Sequence, residues 1–224
     1  MISSRRRALA GYFRSVDASL SRTMQSGVVD VSVNQGKQAP PVDGAELRAR
    51  LQFARHRVAE YVAWRSTYPP PNADEVALAL IVVAGLAGAG TSQGVLLRQW
   101  DYSPSSVVGV DPIPGIAPEN VRHQLFEIGA GFSAALAHGD REAQLREVVA
   151  MEWEIVVGAL HPFYDGCGRI ARYFTALTTL WLGDLPPVHE SREAYFAAAN
   201  GGVSTFQTYW HALPKARLPS ADNQ

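Results

Sequence analysis

Twelve residues, His161 to Arg172, read HPFYDGCGRIAR and gather a base, an acid, two glycines and two arginines. Gly166 and Gly168 flank a turn that opens a helix, where outward-facing backbone N–H groups and the helix macrodipole favour an anion. Phosphate oxygens meet that description. Arg169 and Arg172, three apart on the first turn, project to one side and can make planar bidentate contacts to further phosphate oxygens. An aspartate beside an anion nest adds little to phosphate binding by itself. Asp165 makes sense there if it holds a Mg²⁺ ion that bridges the phosphates. A histidine with an ordinary pKa of about 6.5 can take a proton from an incoming hydroxyl near neutral pH, which is the role open to His161. Phe163 is the anchor of the loop. Together these residues describe a transferase that moves part of a nucleotide onto a hydroxyl group.

Each residue also has a plainer reading. A His-Pro pair at a helix end is a cap, Asp-Gly is a turn, and two arginines in a first turn are solvated charge. Those readings succeed one at a time. They do not account for a base, an anchor, an acid, a glycine nest and two arginines arriving in order within one loop.

The elements that must position this loop are helices. Leu47, Leu51, Ala54, Val58 and Tyr61 recur at four, three, four and three, an amphipathic stripe capped by Asp43 and ended before Pro69. Asn72 or Asp74 caps a second helix, apolar nearly all round from Val76 to Ala87 and therefore expected at the centre. The GLAGAG segment that follows has neither dinucleotide-loop spacing nor a P-loop ending, so its glycines are read as a helix cap. Ser105 to Gly115, SSVVGVDPIPG, is the one credible strand or hairpin.

Pro118 opens a third helix with Val121, Leu125, Ile128, Phe132 and Ala135 inward, ending near Gly139. A fourth runs from about Arg141 to Leu160. Its inward stripe includes Glu152, either a partner for a motif arginine or a carboxylate at the helix flank. Ile170, Phe174, Leu177 and Trp181 mark a fifth helix, and Ser191 to Ala199 a last one. The chain divides into an extension over residues 1–42 with at most one helix, a domain over 43–210 and a tail over 211–224. The expected fold class is all-α with one small β-hairpin.

Composition bounds the partners. With 224 residues, 47% of them apolar, the chain suffices for one domain with a real core. A formal net charge of −1 offers no bulk attraction to nucleic acid or to an anionic membrane, so any basic site is local. A single cysteine, Cys167, cannot close an intramolecular disulfide, which makes the cytoplasm the default compartment. Arg14 and Asp17 interrupt the apolar run near the start, so no cleavable signal is expected. Val76 to Ala89 is shorter than the roughly 20 residues that cross a bilayer.

The motif resembles the signature of the Fic domain family, His-Pro-Phe-x-Asp/Glu-Gly-Asn-Gly-Arg-x-x-Arg, and eleven of its twelve positions are compatible. The likeness covers roughly residues 45 to 205, well at the motif and loosely elsewhere. The resemblance implies a Fic-like helical domain that transfers AMP from ATP, with Mg²⁺, to a Ser, Thr or Tyr hydroxyl of a target protein. In that scheme His161 is the general base and Asp165 the magnesium ligand. Phe163, Gly166, Cys167, Gly168, Arg169 and Arg172 surround the phosphates. Val107, Val108 and Gly109 belong to a flap that aligns the target segment by strand-like pairing.

The departure is Cys167, which stands where the family has Asn. A thiol is a weak donor and a thiolate repels phosphate, so losing the amide contact is expected to cost about 0.5 to 3 kcal/mol. Weakened AMP transfer, a different phosphate-bearing donor, a small-molecule acceptor and a catalytically inactive binding module all remain open on this account. A nucleophilic Cys167 is a further reading, since helix N-termini lower thiol pKa values. Many members of the family carry an inhibitory Ser/Thr-x-x-x-Glu helix in cis. None of the eleven glutamates here has Ser or Thr four residues before it. Restraint then comes from a separate antitoxin-like partner, or the chain is not restrained in this way.

Overall fold

The structure is a computed structural model that describes residues 56–68, 72–84, 86, 90–91, 94–95, 97–99, 101–102, 115–163, 166–189 and 191–215. The described part of the first helix, α1, spans 56–65 and buries Val58 and Val62. Helix α2, Ala73–Ala84, starts at a reciprocal cap: the Glu75 amide donates to Asn72 Oδ1 at 3.0 Å and the Asn72 amide donates to Glu75 Oε2 at 3.2 Å. Of the two caps the sequence offered, Asn72 is the one used. Val76, Leu80 and Val83 face the core, but Leu78 is 58% exposed, so α2 is a flanking helix rather than the central one.

A 3₁₀ turn at Pro118–Asn120 leads into α3, Val121–His138. Val121, Leu125 and Phe132 are buried as the stripe predicts, with Gly129 and Leu136 completing the face in place of the half-buried Ile128 and Ala135. Helix α4, Arg141–Val156, is capped by Asp140, whose carboxylate accepts from the Ala143 amide.

The centre belongs to α5, Cys167–Trp181, in which every residue from Ile170 to Trp181 is buried. It packs on α4 and on α2, while α3 bridges α2 and α4. Thr178 and Thr179 concealed this burial from a reading based on apolar runs. Their hydroxyls donate back to the carbonyls of Phe174 and Thr175 at 2.9 Å each, which satisfies them inside the helix.

Helix α6, Arg192–Asn200, begins at Ser191, whose hydroxyl accepts from the Ala194 amide. Helix α7, Val203–Ala212, was not foreseen. Its sequence, VSTFQTYWHA, carries only two fully buried anchors, Phe206 and Trp210, in ten residues, too sparse a stripe to stand out. Both anchors matter to the site, because α7 packs on α4 and α6.

Among the described residues the ladder is at β1, Gly90–Thr91, and β2, Gly94–Val95, paired antiparallel with Gly90 opposite Val95. Gly90, the last of the glycines read from sequence as a helix cap, is instead a strand residue of this ladder. The hairpin expected at 105–115, with Val107, Val108 and Gly109, lies outside the described residues. Leu97 then forms an antiparallel bridge with Phe163, which brings this segment against the motif.

Candidate functional site

The motif loop begins at the broken end of α4. An α-helix leaves its last four carbonyls without partners, and a positive charge there is favoured by the macrodipole. The sequence stripe ran to Leu160, but α4 stops at Val156, and the carbonyls beyond are taken by side chains from elsewhere in the chain. Arg98, only 1% exposed, supplies most of them. Its Nε donates to Leu160 O at 3.2 Å and His161 O at 3.0 Å, its Nη2 to Ile116 O and to Ala159 O, and its backbone N–H to Pro162 O at 3.0 Å. The Leu160 amide meanwhile donates to Glu154 Oε1 at 2.7 Å instead of to a helical carbonyl.

His161 sits in this end with φ of +29°, the one positive φ among the described non-glycine residues. Such conformations are costly and persist where the surroundings over-determine them. Its Nδ1 lies 2.8 Å from Val156 O. A carbonyl only accepts, so Nδ1 carries the proton, and in the neutral ring the lone pair is on Nε2. The Tyr102 ring stacks on the imidazole, centroids 4.2 Å apart and planes 9° from parallel, and its hydroxyl donates to Val157 O at 3.3 Å. Burial, with the neighbouring Cys167 adding to it, pushes the Tyr102 phenol up to about 12, so it stays a donor at neutral pH.

Phe163 is fully buried, as an anchor should be. Tyr164 and Asp165 lie outside the described residues. Gly166 follows at φ +77° as the N-cap of α5, and Arg169 and Ile170 donate their amides to its carbonyl at 2.8 and 2.9 Å. A β-carbon at Gly166 would lie 2.9 Å from Arg169 Nη2, so the guanidinium folds back over the glycine. Gly166→Ala is therefore expected to lose about 1 to 2 kcal/mol through the left-handed backbone alone, read as a lower urea midpoint, and to displace Arg169 as well.

Cys167, 5% exposed, points its thiol inward and donates to Phe163 O at 3.4 Å. At Gly168 a β-carbon would meet only Phe196 Cζ at 3.8 Å, ordinary contact. Arg172 is 8% exposed; its Nε donates to Gly168 O at 2.8 Å and its guanidinium lies over the Tyr195 ring at 5.2 Å.

Behind Arg172 lies a buried polar cluster. Glu152 is 1% exposed, not at a helix flank. It accepts from Thr175 Oγ1 at 2.8 Å, Tyr195 Oη at 2.8 Å and Trp210 Nε1 at 3.3 Å, so helices α5, α6 and α7 converge on it. Burial pushes its carboxyl up, and the Tyr195 and Thr175 hydrogen bonds and the Arg172 charge pull it back.

His189 Nε2 is 3.8 Å from Glu152 Oε1 and has no hydrogen-bond partner among the described residues, while Nδ1 is 3.3 Å from Tyr209 Oη. Proximity to a carboxylate would raise a histidine. Here burial and then the Arg172 charge dominate and take His189 down to about 3, so the imidazole is neutral and the contact is not an ion pair at neutral pH.

Sequence reasoning placed His161, Phe163, Gly166, Cys167, Gly168, Arg169 and Arg172 together, and the structure has them at one α4–α5 junction. It missed Arg98, Tyr102 and His189. Arg98 and Tyr102 lie some sixty residues upstream in an irregular segment, and no local spacing ties them to the motif. Among the described residues no three His, Cys, Asp or Glu side chains group as a metal site, and no helix is long and apolar enough to cross a membrane.

Fold and site together define a helical domain with an oriented histidine just before its central helix and Arg169 and the buried Arg172 in that helix's first turns. No family model matches the chain, and no curated protein does. Among solved structures the chain is similar to a Fic domain-containing signaling protein from Bacteroides thetaiotaomicron, at 11% identity and a TM-score of 0.45, over 94% of this chain and 88% of that one. A likeness of that degree carries no argument about chemistry, which rests on the residues.

Proposed function

We propose that the protein is a Fic-type nucleotidyltransferase that moves AMP, or another nucleoside monophosphate, from a nucleoside triphosphate onto a Ser, Thr or Tyr hydroxyl of a target protein. The observation that carries this reading is the bond from His161 Nδ1–H to Val156 O, which leaves Nε2 as the basic nitrogen of the residue that opens HPFYDGCGRIAR. In the reaction the target hydroxyl oxygen bonds to the α-phosphorus, its proton passes to His161 Nε2, and the bond to the pyrophosphate leaving group breaks. Amides at the Gly166 and Gly168 turn and the Arg169 and Arg172 guanidinium groups hold phosphate oxygens. Phe163 fixes the loop in the core, and Val107, Val108 and Gly109 align the target backbone.

Mg²⁺ is held in such sites by one or two carboxylates and the substrate phosphates rather than by an all-protein cage, so Asp165 is a sufficient protein ligand. When bound, the ion neutralises charge on the phosphates. Restraint of the enzyme, in this reading, comes from a separate antitoxin-like chain or is absent.

A second reading is favoured by Cys167. Its thiol serves the Phe163 carbonyl, which leaves the site without the amide that the family directs at phosphate, and this suits a different phosphate-bearing donor or a small-molecule acceptor.

The test is incubation of the protein with Mg²⁺ and each of ATP, GTP, CTP and UTP, reading intact mass and pyrophosphate release. One nucleoside monophosphate gained, with pyrophosphate released, is the expected result. Cys167→Asn is expected to raise the rate by up to roughly a hundredfold. No gain with any nucleotide in either form defeats nucleotidyl transfer in favour of another donor or a binding role.

A further inference from the structure

We propose that Tyr102 and Arg98 are positioning residues that hold the His161 imidazole in a single orientation and tautomer, with Nε2 presented to the reacting hydroxyl. This rests on the reading of His161 as the general base. A histidine held by one hydrogen bond can rotate its ring by half a turn, which puts Cδ2 where Nδ1 was and Cε1 where Nε2 was and so frees the ring to change tautomer, and a base that does so is in place only part of the time. Two restraints on His161 prevent this, and both come from the same upstream segment.

The first restraint is the floor. Tyr102 covers one face of the imidazole at 4.2 Å with the planes 9° apart, so a tilt of the His161 ring meets the phenol. The Tyr102 hydroxyl, bonded to Val157 O, fixes that ring in turn to the residue next to Val156.

The second restraint is the frame. Val156 O can orient Nδ1 only if the chain between Val156 and His161 keeps its shape, and those residues have left the α-helix. Arg98 holds three successive carbonyls of that span, Ala159, Leu160 and His161, and ties them to Ile116. Its guanidinium also lies 5.8 Å from the Tyr102 ring, which makes the floor and the frame one unit. The Leu97 bridge to Phe163 and the Arg98 amide bond to Pro162 O carry the unit across the start of the motif. The positive φ of His161 is the backbone conformation that this arrangement enforces.

The test uses the full chain with Tyr102→Leu, Tyr102→Phe and Arg98→Gln. It reads the His161 tautomer by long-range ¹⁵N–¹H NMR correlation and, separately, kcat and KM for the nucleotide found to be used. Native protein is expected to show one Nδ1–H tautomer. Tyr102→Leu is expected to show tautomer exchange and a kcat lower by on the order of tenfold to a hundredfold, with nucleotide KM within about twofold of native. Tyr102→Phe keeps the stacked face, so it is expected to retain the native tautomer and most of the kcat.

Arg98→Gln leaves carbonyls unpartnered and can fail to fold, and the Tyr102 pair then decides the matter alone. A single Nδ1–H tautomer persisting in Tyr102→Leu overturns the proposal whatever the activity. The expected tautomer change in a protein that transfers nothing supports the positioning role and defeats the function reading instead.

Discussion

His161→Ala is expected to lower nucleotide transfer by about a hundred- to ten-thousandfold, the usual worth of general-base help, while the domain stays folded. The two halves of this expectation have separate grounds. On the chemical side, the proposed mechanism passes the hydroxyl proton to Nε2, and alanine offers nothing in its place. The phosphate contacts proposed for Arg169 and Arg172 remain, so nucleotide binding is expected to persist and the loss to appear in kcat.

On the structural side, the contacts of the side chain include the bond to Val156 O and the stacked face against Tyr102. Losing that bond costs about 0.5 to 1.5 kcal/mol. The backbone φ of +29° is at least as unfavourable for alanine as for histidine, so the substitution relieves no strain. His161→Asn tolerates that φ better and is the companion variant, equally inactive and at least as stable. Turnover by His161→Ala at the native rate would remove His161 from the mechanism and leave the loop as an anion site only.

The parts of the molecule legible in the sequence are those governed by local rules. Asn72, Asp140 and Ser191 each sit one residue before a helix and accept from an amide three residues on, and each start is visible from residue type alone. The motif is legible because its chemistry is contiguous. What was not legible depends on distant partners. The end of α4 comes at Val156 rather than Leu160 because Arg98 and Tyr102, far upstream, take the carbonyls. Glu152 looked like flank charge because its three donors are spread over α5, α6 and α7, and one of them, Trp210, is on a helix whose own stripe is weak. The threonines of α5 made the most buried helix look less apolar than α2.

The cluster around Glu152 gives the second large expected effect, a pH dependence of stability in which two buried groups oppose each other. His189 is depressed in the folded protein to about 3 from an ordinary 6.5, so its contribution is present above pH 6.5 and is lost as pH falls, because the unfolded chain takes up the proton and the folded one does not. Between pH 7.5 and pH 5.0 that loss is about 2 kcal/mol, one and a half units at roughly 1.4 kcal/mol each.

Glu152 runs the other way. Its folded pKa is raised, so its contribution is full below the unfolded carboxyl value and fades as pH rises through the folded one. His189→Phe is expected to keep an aromatic ring against Tyr195 and to abolish the acid loss, so that relative to native its urea-derived stability gains about 2 kcal/mol on going from pH 7.5 to pH 5.0. Glu152→Gln is expected to do the reverse and steepen the loss. Parallel pH profiles for native and His189→Phe would mean that His189 takes up its proton as readily in the fold as in the unfolded chain. In that case the 3.8 Å contact with Glu152 is an ion pair at pH 5.0, and the Arg172 charge does not govern the cluster.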